Sequence, residues 1–105
     1  MDDNLSPAAA GDLRQIWRYI SNRGGIDAAD RLIYALTEAV AMLAQMPYAG
    51  RCRDELYPGL RSFAEGQYLI LYHTTTAGIR VARVVRGSRD LKALLNLAPP
   101  PKPNN

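Results

Sequence analysis

Cysteine, histidine, tryptophan and phenylalanine each occur once among these 105 residues, as Cys52, His73, Trp17 and Phe63. A single cysteine excludes an internal disulfide and any cysteine-built metal cluster, and it fits a reducing cytoplasm. No group of residues has metal-ligand spacing, and neither a Walker-type glycine loop nor a dinucleotide-binding glycine pattern occurs, so no metal or cofactor is expected. No apolar run nears the roughly 20 residues needed to span a bilayer, and no signal-peptide pattern opens the chain. Lysine is scarce too: eleven of the thirteen basic residues are arginine. Arginine suits fixed, bidentate contacts to carboxylate or phosphate.

What is present describes one globular domain. Apolar residues make up 48% of the chain and charged residues 22%, and the length suffices to bury a core without staples. The net charge of +3 is unevenly spread. Residues 1–50 carry four arginines against six acids, a balance of −2, whereas residues 51–105 carry nine basic residues against four acids, a balance of +5. The second half should therefore attract acidic partners, whether nucleic acid or an acidic peptide.

Ser6-Pro7 has the composition of a helix start, a hydroxyl cap followed by proline at the first helical position. Leu13, Ile16, Trp17 and Ile20 then form one apolar stripe, and Gly24-Gly25 ends the helix. Asp27 is expected to cap a second helix, with Asp30 adding charge to its first turn, running toward Met46 and stopping at Pro47. Its two apolar stripes, one through Ile33, Leu36 and Val40 and one through Leu32, Ala39 and Met42, predict burial against both a partner helix and a sheet. The short connection implies an antiparallel αα-hairpin.

Beyond Pro47 the period becomes that of strands. Cys52–Leu56 and Leu60–Glu65 are expected to flank a type II turn at Tyr57-Pro58-Gly59-Leu60. Gln67–Thr75 alternates Tyr68, Ile70 and Tyr72 on one face with Leu69, Leu71 and His73 on the other. Ile79–Arg86 follows the turn at Gly78. Apolar residues on both faces of these two strands suggest central positions. Ser88 is placed to cap a short helix over 89–97. The fold is thus read as α+β: an N-terminal αα-hairpin packed on a small twisted antiparallel sheet of three to four strands, with a short C-terminal helix. The domain spans 1–97, and the proline-rich 98–105 is an extended or disordered tail.

The motifs run in a fixed order: a two-helix hairpin, then GRCRDELYPGLRSF over 50–63, EGQYLILYHTT over 65–75 and IRVARVVRGSRDL over 79–91. In that order and spacing, over roughly residues 6 to 95, the chain resembles the ParE toxins of the RelE/ParE superfamily, the toxic halves of bacterial type II toxin–antitoxin (plasmid-stabilisation) modules. The resemblance implies inhibition of DNA gyrase by direct binding and neutralisation by a ParD-like antitoxin. Such an antitoxin has a DNA-binding N-terminal part and a tail that wraps the toxin, so operator DNA is met only through it. A homodimer or a higher toxin–antitoxin assembly is compatible with this. The family's fold usually opens with a strand before the first helix, which MDDNL can supply only briefly, if at all.

The residues themselves favour binding over catalysis. A RelE-like ribosome-dependent mRNA endonuclease, the second reading, needs an acid–base pair beside cations for the phosphate. RelE-type enzymes usually carry tyrosine or histidine near the end of the last strand or in the C-terminal helix, and RVVRGSRDLKALLNL contains neither. His73 lies mid-strand, and a Cys52–His73 dyad has no third group to orient it. A degenerate toxin that only binds its antitoxin is a third reading. Antitoxin binding is assigned to Arg53, Arg61, Phe63, Tyr68, Tyr72 and Arg83, and target binding to Arg86, Ser88, Arg89 and Asp90. Each has a structural alternative. Arg83, on the face of Ile79, Val81 and Val85, needs a counter-charge such as Asp54, Glu55 or Asp90. Arg61 in the RSF triplet serves strand pairing equally well. Tyr68 and Tyr72 either floor a groove or are core aromatics with satisfied hydroxyls. Arg89 and Asp90 could equally cap and dock the last helix.

Overall fold

Ser6 starts the first helix by satisfying one of its unpaired amides. In the computed structural model, which describes residues 4–87 and Leu91, the Ser6 backbone is extended and its hydroxyl accepts the Ala9 N–H at 3.0 Å. Pro7 follows at a position whose missing N–H costs nothing. Helix α1 (Pro7–Gly24) and helix α2 (Ile26–Gln45) are separated by Gly25 alone, whose φ of 92° lies where side chains are strained. Gly25 also stands at the start of α2 with no side-chain cap. Asp27 is therefore not the cap but lies in the first turn, where its charge meets the macrodipole. Asp30 lies past that turn and accepts the Trp17 indole N–H at 2.8 Å, tying the two helices together.

The sheet has the order β1-β2-β3-β4, every pair antiparallel: β1 (Arg51–Cys52), β2 (Arg61–Glu65), β3 (Tyr68–Thr75) and β4 (Gly78–Arg86). The strand expected over Cys52–Leu56 shrinks to two residues because the chain folds back on itself. Leu56 N–H bonds the Arg53 carbonyl, and the Asp54 carboxylate accepts the Gly59 N–H. The type II turn is where the composition put it, with Leu60 N–H on the Tyr57 carbonyl at 3.0 Å and Gly59 at φ 82°.

Strand β3 is central, but β4 is not flanked by a full strand. Its outer edge is closed by the N-terminal residues: Leu5 bridges Val81 in parallel, Ser6 N–H bonds the Val81 carbonyl, and Val81 N–H bonds the Asn4 carbonyl. The brief first strand is thus a single bridge. Between Leu71 and Tyr72 the β3–β4 register shifts, Leu71 facing Arg83 and Tyr72 facing Val81, so Ala82 is a bulge. The Ser6 hydroxyl donates to the Ala82 carbonyl at 2.9 Å, locking the start of α1 onto that bulge.

Two apolar clusters lie on opposite sides of the sheet. On the helix side Tyr68, Ile70 and Tyr72 of β3 and Ile79, Val81 and Val84 of β4 pack with Ala9, Leu13, Leu36, Val40 and Leu43. On the far side Leu60, Leu71, Val85 and Leu91 are buried together. The helix expected over 89–97 and the tail 98–105 otherwise lie outside the described residues.

Tyr72 anchors the segment that leaves α2. Its ring is fully buried, its hydroxyl accepts the Gly50 N–H at 2.8 Å and donates to the Pro47 carbonyl at 2.8 Å. Burial raises its pKa, partly opposed by the Gly50 N–H, so the phenol stays neutral and can serve both partners. Gly50 must be glycine for space rather than backbone angle: a Cβ there would clash with the Tyr72 hydroxyl and meet the Ser62 carbonyl at 2.9 Å. Removing the hydroxyl by Tyr72→Phe is expected to cost about 1–3 kcal/mol, since two polar partners lose their bonds. Gly50→Ala should cost at least as much. Urea denaturation of both variants, with an unchanged slope, checks this.

Candidate partner-binding site

The arginines of the basic half divide into those committed to the fold and those facing outward. Arg61 donates to the Gly50 carbonyl at 2.6 Å, and its guanidinium lies 4.9 Å from the centroid of the exposed Tyr48 ring. Arg53 pairs with Glu55 at 2.8 Å and reaches the Ser62 hydroxyl at 3.2 Å. That bond holds the Glu55 carboxyl below its ordinary range. Asp54 is lowered likewise, first by the Gly59 N–H and then by the Cys52 thiol. Phe63 packs on the edge of the helix-side core.

Arg83 is spent on a partner outside the expected set. Its Nε and one terminal nitrogen donate to the two Asp12 oxygens at 2.8 and 3.0 Å, and the Val84 N–H donates to the same carboxylate at 2.9 Å. Neither Asp54 nor Glu55 plays this role; Asp90 lies outside the described residues. The hydrogen bonds that Arg83 donates to Asp12 raise the Arg83 pKa further, so the guanidinium is permanently charged. The bulge also alters the faces. Ile79, Val81 and Val84 point at the helices, whereas Arg80, Arg83 and Val85 belong to the far side, and Arg86 returns to the helix side. Arg83 therefore does not share a face with Ile79 and Val81, nor Arg80 with Arg86. Asp12 had a readable signal: it precedes Ile16 by one turn, on the flank of the apolar stripe, with no base three or four residues on.

Tyr68 and Tyr72 share a face as the alternation implies, but that face is the core, with exposures of 6% and 0%. Tyr72 can touch a partner only through the 47–50 segment it holds. Tyr68 instead lines a groove of about 500 Å³ between α1 and the end of β4, with Gln15, Ile16 and Tyr19 on one wall and Val84 and Arg86 on the other. Tyr68 and Arg86 are cross-strand neighbours in the β3–β4 register. Residues assigned from sequence to two different partners thus meet in one place. Gln15 and Tyr19 were missed; Arg23 stacks on the Tyr19 ring at 4.8 Å from its centroid.

His73 is half-buried on the far side, and Cys52, which is exposed, pairs in register with Arg61 on the opposite face, so the two do not meet. Burial, aided by Arg80, lowers the His73 pKa. Among the described residues no cluster of histidine, cysteine and carboxylate could hold a metal, and no helix is long and apolar enough to cross a membrane.

A helical hairpin laid over one face of a four-stranded antiparallel sheet, with a groove carrying Arg83 and Arg86 at its edge, defines a small α+β protein. A family model described as "ParE toxin of type II toxin-antitoxin system, parDE" matches residues 4–91. Toxin ParE1 of Mycobacterium tuberculosis is 36% identical over 88 residues, covering 83% of this chain and 90% of that protein. Toxin ParE1 of Caulobacter vibrioides is 32% identical over 93 residues, covering 87% and 94%. Among solved structures, one titled "Chromosomal ParDE TA system from P. aeruginosa" superposes with a TM-score of 0.69 at 23% identity, over 78% of this chain and 90% of that one. The chain belongs to the ParE toxin family of type II toxin–antitoxin systems.

Two outcomes follow from this geometry. Asp12→Ala strands Arg83, a largely desolvated cation, together with the Val84 amide, and should cost about 2–4 kcal/mol. A double-mutant cycle with Arg83→Met should show coupling above about 1 kcal/mol. The lowered His73 pKa means that the unfolded chain binds the proton more readily. The stability this neutral imidazole contributes is fully present above the ordinary histidine value near pH 6.5 and is lost as pH falls below that value through the lower folded-state one. His73→Gln should flatten that part of a melting-temperature profile against pH.

Proposed function

We propose that this ParE-family protein acts as a toxin by binding, not by catalysis, with DNA gyrase as its target and a ParD-like antitoxin as its neutralising partner in the cytoplasm. The observation that carries this reading is how the sheet's tyrosine, arginine and histidine side chains are spent. Tyr72 is held between Pro47 and Gly50, Arg83 is bound to Asp12, Arg61 is bound to Gly50, and His73 sits half-buried opposite Arg80 on the other face of the sheet from Tyr72. An RNA-cleaving site needs such groups converging on one phosphate. The exposed surface instead offers aromatic and arginine side chains, the types enriched where proteins bind proteins. The resemblance to ParE toxins supplies gyrase and the antitoxin.

The antitoxin's tail is assigned to the sheet face and the helical hairpin, with Arg53, Arg61, Phe63, Tyr68, Tyr72 and Arg83 as its contacts. Rim arginine–carboxylate pairs there should govern association rate more than total affinity. The target side is assigned to Arg86 and to Ser88, Arg89 and Asp90, the last three outside the described residues.

A supercoiling assay with purified gyrase tests the reading. Inhibition should appear at stoichiometric toxin and disappear on adding an equimolar amount of the antitoxin encoded beside it. Full supercoiling by gyrase in the presence of folded toxin would overturn the target. Codon-positioned mRNA cleavage on translating ribosomes would replace it with the endonuclease reading.

A further inference from the structure

Tyr68 is 6% exposed, yet its hydroxyl bonds to no described residue. No buried polar side-chain atom among the described residues lacks a partner. The hydroxyl is therefore not sealed in the core; it opens where Tyr68 lines the surface, in the groove between α1 and β4 and the hollow beside it. Arg86 stands across from it in the β-ladder and donates only to the Gln67 side chain at 3.0 Å. Cross-strand partners lie about 5 Å apart, so the phenol and the guanidinium can converge on one acceptor. The groove's own carboxylate, Asp12, is already neutralised by Arg83. Among the described residues Arg86 is thus the charge without a counter-ion in a groove whose floor and walls are Ile16, Tyr68, Val84 and the half-exposed Tyr19 ring.

Resting on the antitoxin reading above, we propose that this groove seats an apolar residue of the antitoxin's tail together with a neighbouring acidic one. The apolar side chain covers Ile16, Tyr68 and Val84. The carboxylate accepts from the Tyr68 hydroxyl and from Arg86, a charge-assisted pair of donors stronger than neutral ones. A single cation without a counter-ion among the described residues, set over an apolar floor, suits a peptide carboxylate better than a nucleic acid, whose binding draws on several phosphate contacts at once. Because Arg86 is also assigned to the target side, the antitoxin would silence the toxin by occupying the surface that the target needs.

The test uses the toxin and the ParD-like antitoxin from the adjacent reading frame, in titration calorimetry at low and high salt. Tyr68→Phe deletes only the hydroxyl. It should leave the melting temperature of the free toxin unchanged, while antitoxin affinity falls about tenfold or more. Arg86→Gln should weaken binding comparably and flatten its salt dependence. A benzophenone side chain placed at position 15 should crosslink to the antitoxin's acidic tail. If both variants bind like the parent, or if Tyr68→Phe lowers the free toxin's melting temperature, the proposal is overturned. A parent dimer that Tyr68→Phe dissolves would make the groove a self-interface and overturn it too. If the folded parent does not bind the antitoxin at all, the antitoxin reading itself falls and this assignment with it, an outcome distinct from intact binding by the variants.

Discussion

The Asp12 carboxylate decides where the helical hairpin meets the sheet. It accepts two hydrogen bonds from Arg83 and one from the Val84 amide, joining α1 to the outer edge of β4 across 71 and 72 residues of sequence. A desolvated ion pair is not by itself a large source of stability, since removing two charges from water offsets much of their attraction. Its value here is positional. It gives the edge amide of Val84 an acceptor that no neighbouring strand supplies, and it sets α1 at one place along β4. The part of α1 beyond residue 12 then overhangs the end of the strand, and the groove under Ile16 and Tyr19 is the space this overhang creates.

The bulge at Ala82 makes that pin workable. Uninterrupted alternation along β4 would put Ile79, Val81, Arg83 and Val85 on one face and drive a guanidinium into the helix-side core, at a large desolvation cost. One extra residue moves Arg83 away from that core and brings Val84 in, so Ile79, Val81 and Val84 make a continuous apolar surface. The Ser6 hydroxyl takes up the bulge carbonyl while its oxygen caps α1. The helix start, the bulge and the ion pair are therefore one connected device at the same edge.

Much of the architecture was legible in the residues because it rests on short-range rules. Ser6-Pro7, the Gly25 junction, the Pro-Gly turn and the alternation of Tyr68, Ile70 and Tyr72 each follow from local chemistry, and each appears where its residues lie. Errors arose where tertiary bonds override local preference. Asp54 drew its segment into turns and ended β1 at Cys52, and glycine rather than Asp27 opened α2. The Arg83 partner lay 71 positions away, beyond any periodicity argument. The doubled apolar pairs Val81-Ala82 and Val84-Val85, flanked by arginines, were a visible trace of the bulge, since strict alternation cannot bury both pairs and expose all three arginines.

The candidate site was only half legible, and Tyr68 and Tyr72 show why. They are the same residue type on the same strand and face, four positions apart, so nothing local distinguishes them. What separates them is the chain laid over each. The segment at 47–50 closes over Tyr72 and supplies both a donor and an acceptor, leaving its hydroxyl no remaining role outside the protein. Over Tyr68, among the described residues, lies the flank of α1, whose Gln15, Ile16 and Tyr19 stand off far enough to leave the groove open. One tyrosine is thus a structural clamp and the other presents a polar tip at a concave, basic surface. The difference is made by where Asp12 holds α1, so the same ion pair that orders the fold also determines which aromatic residue can meet a partner.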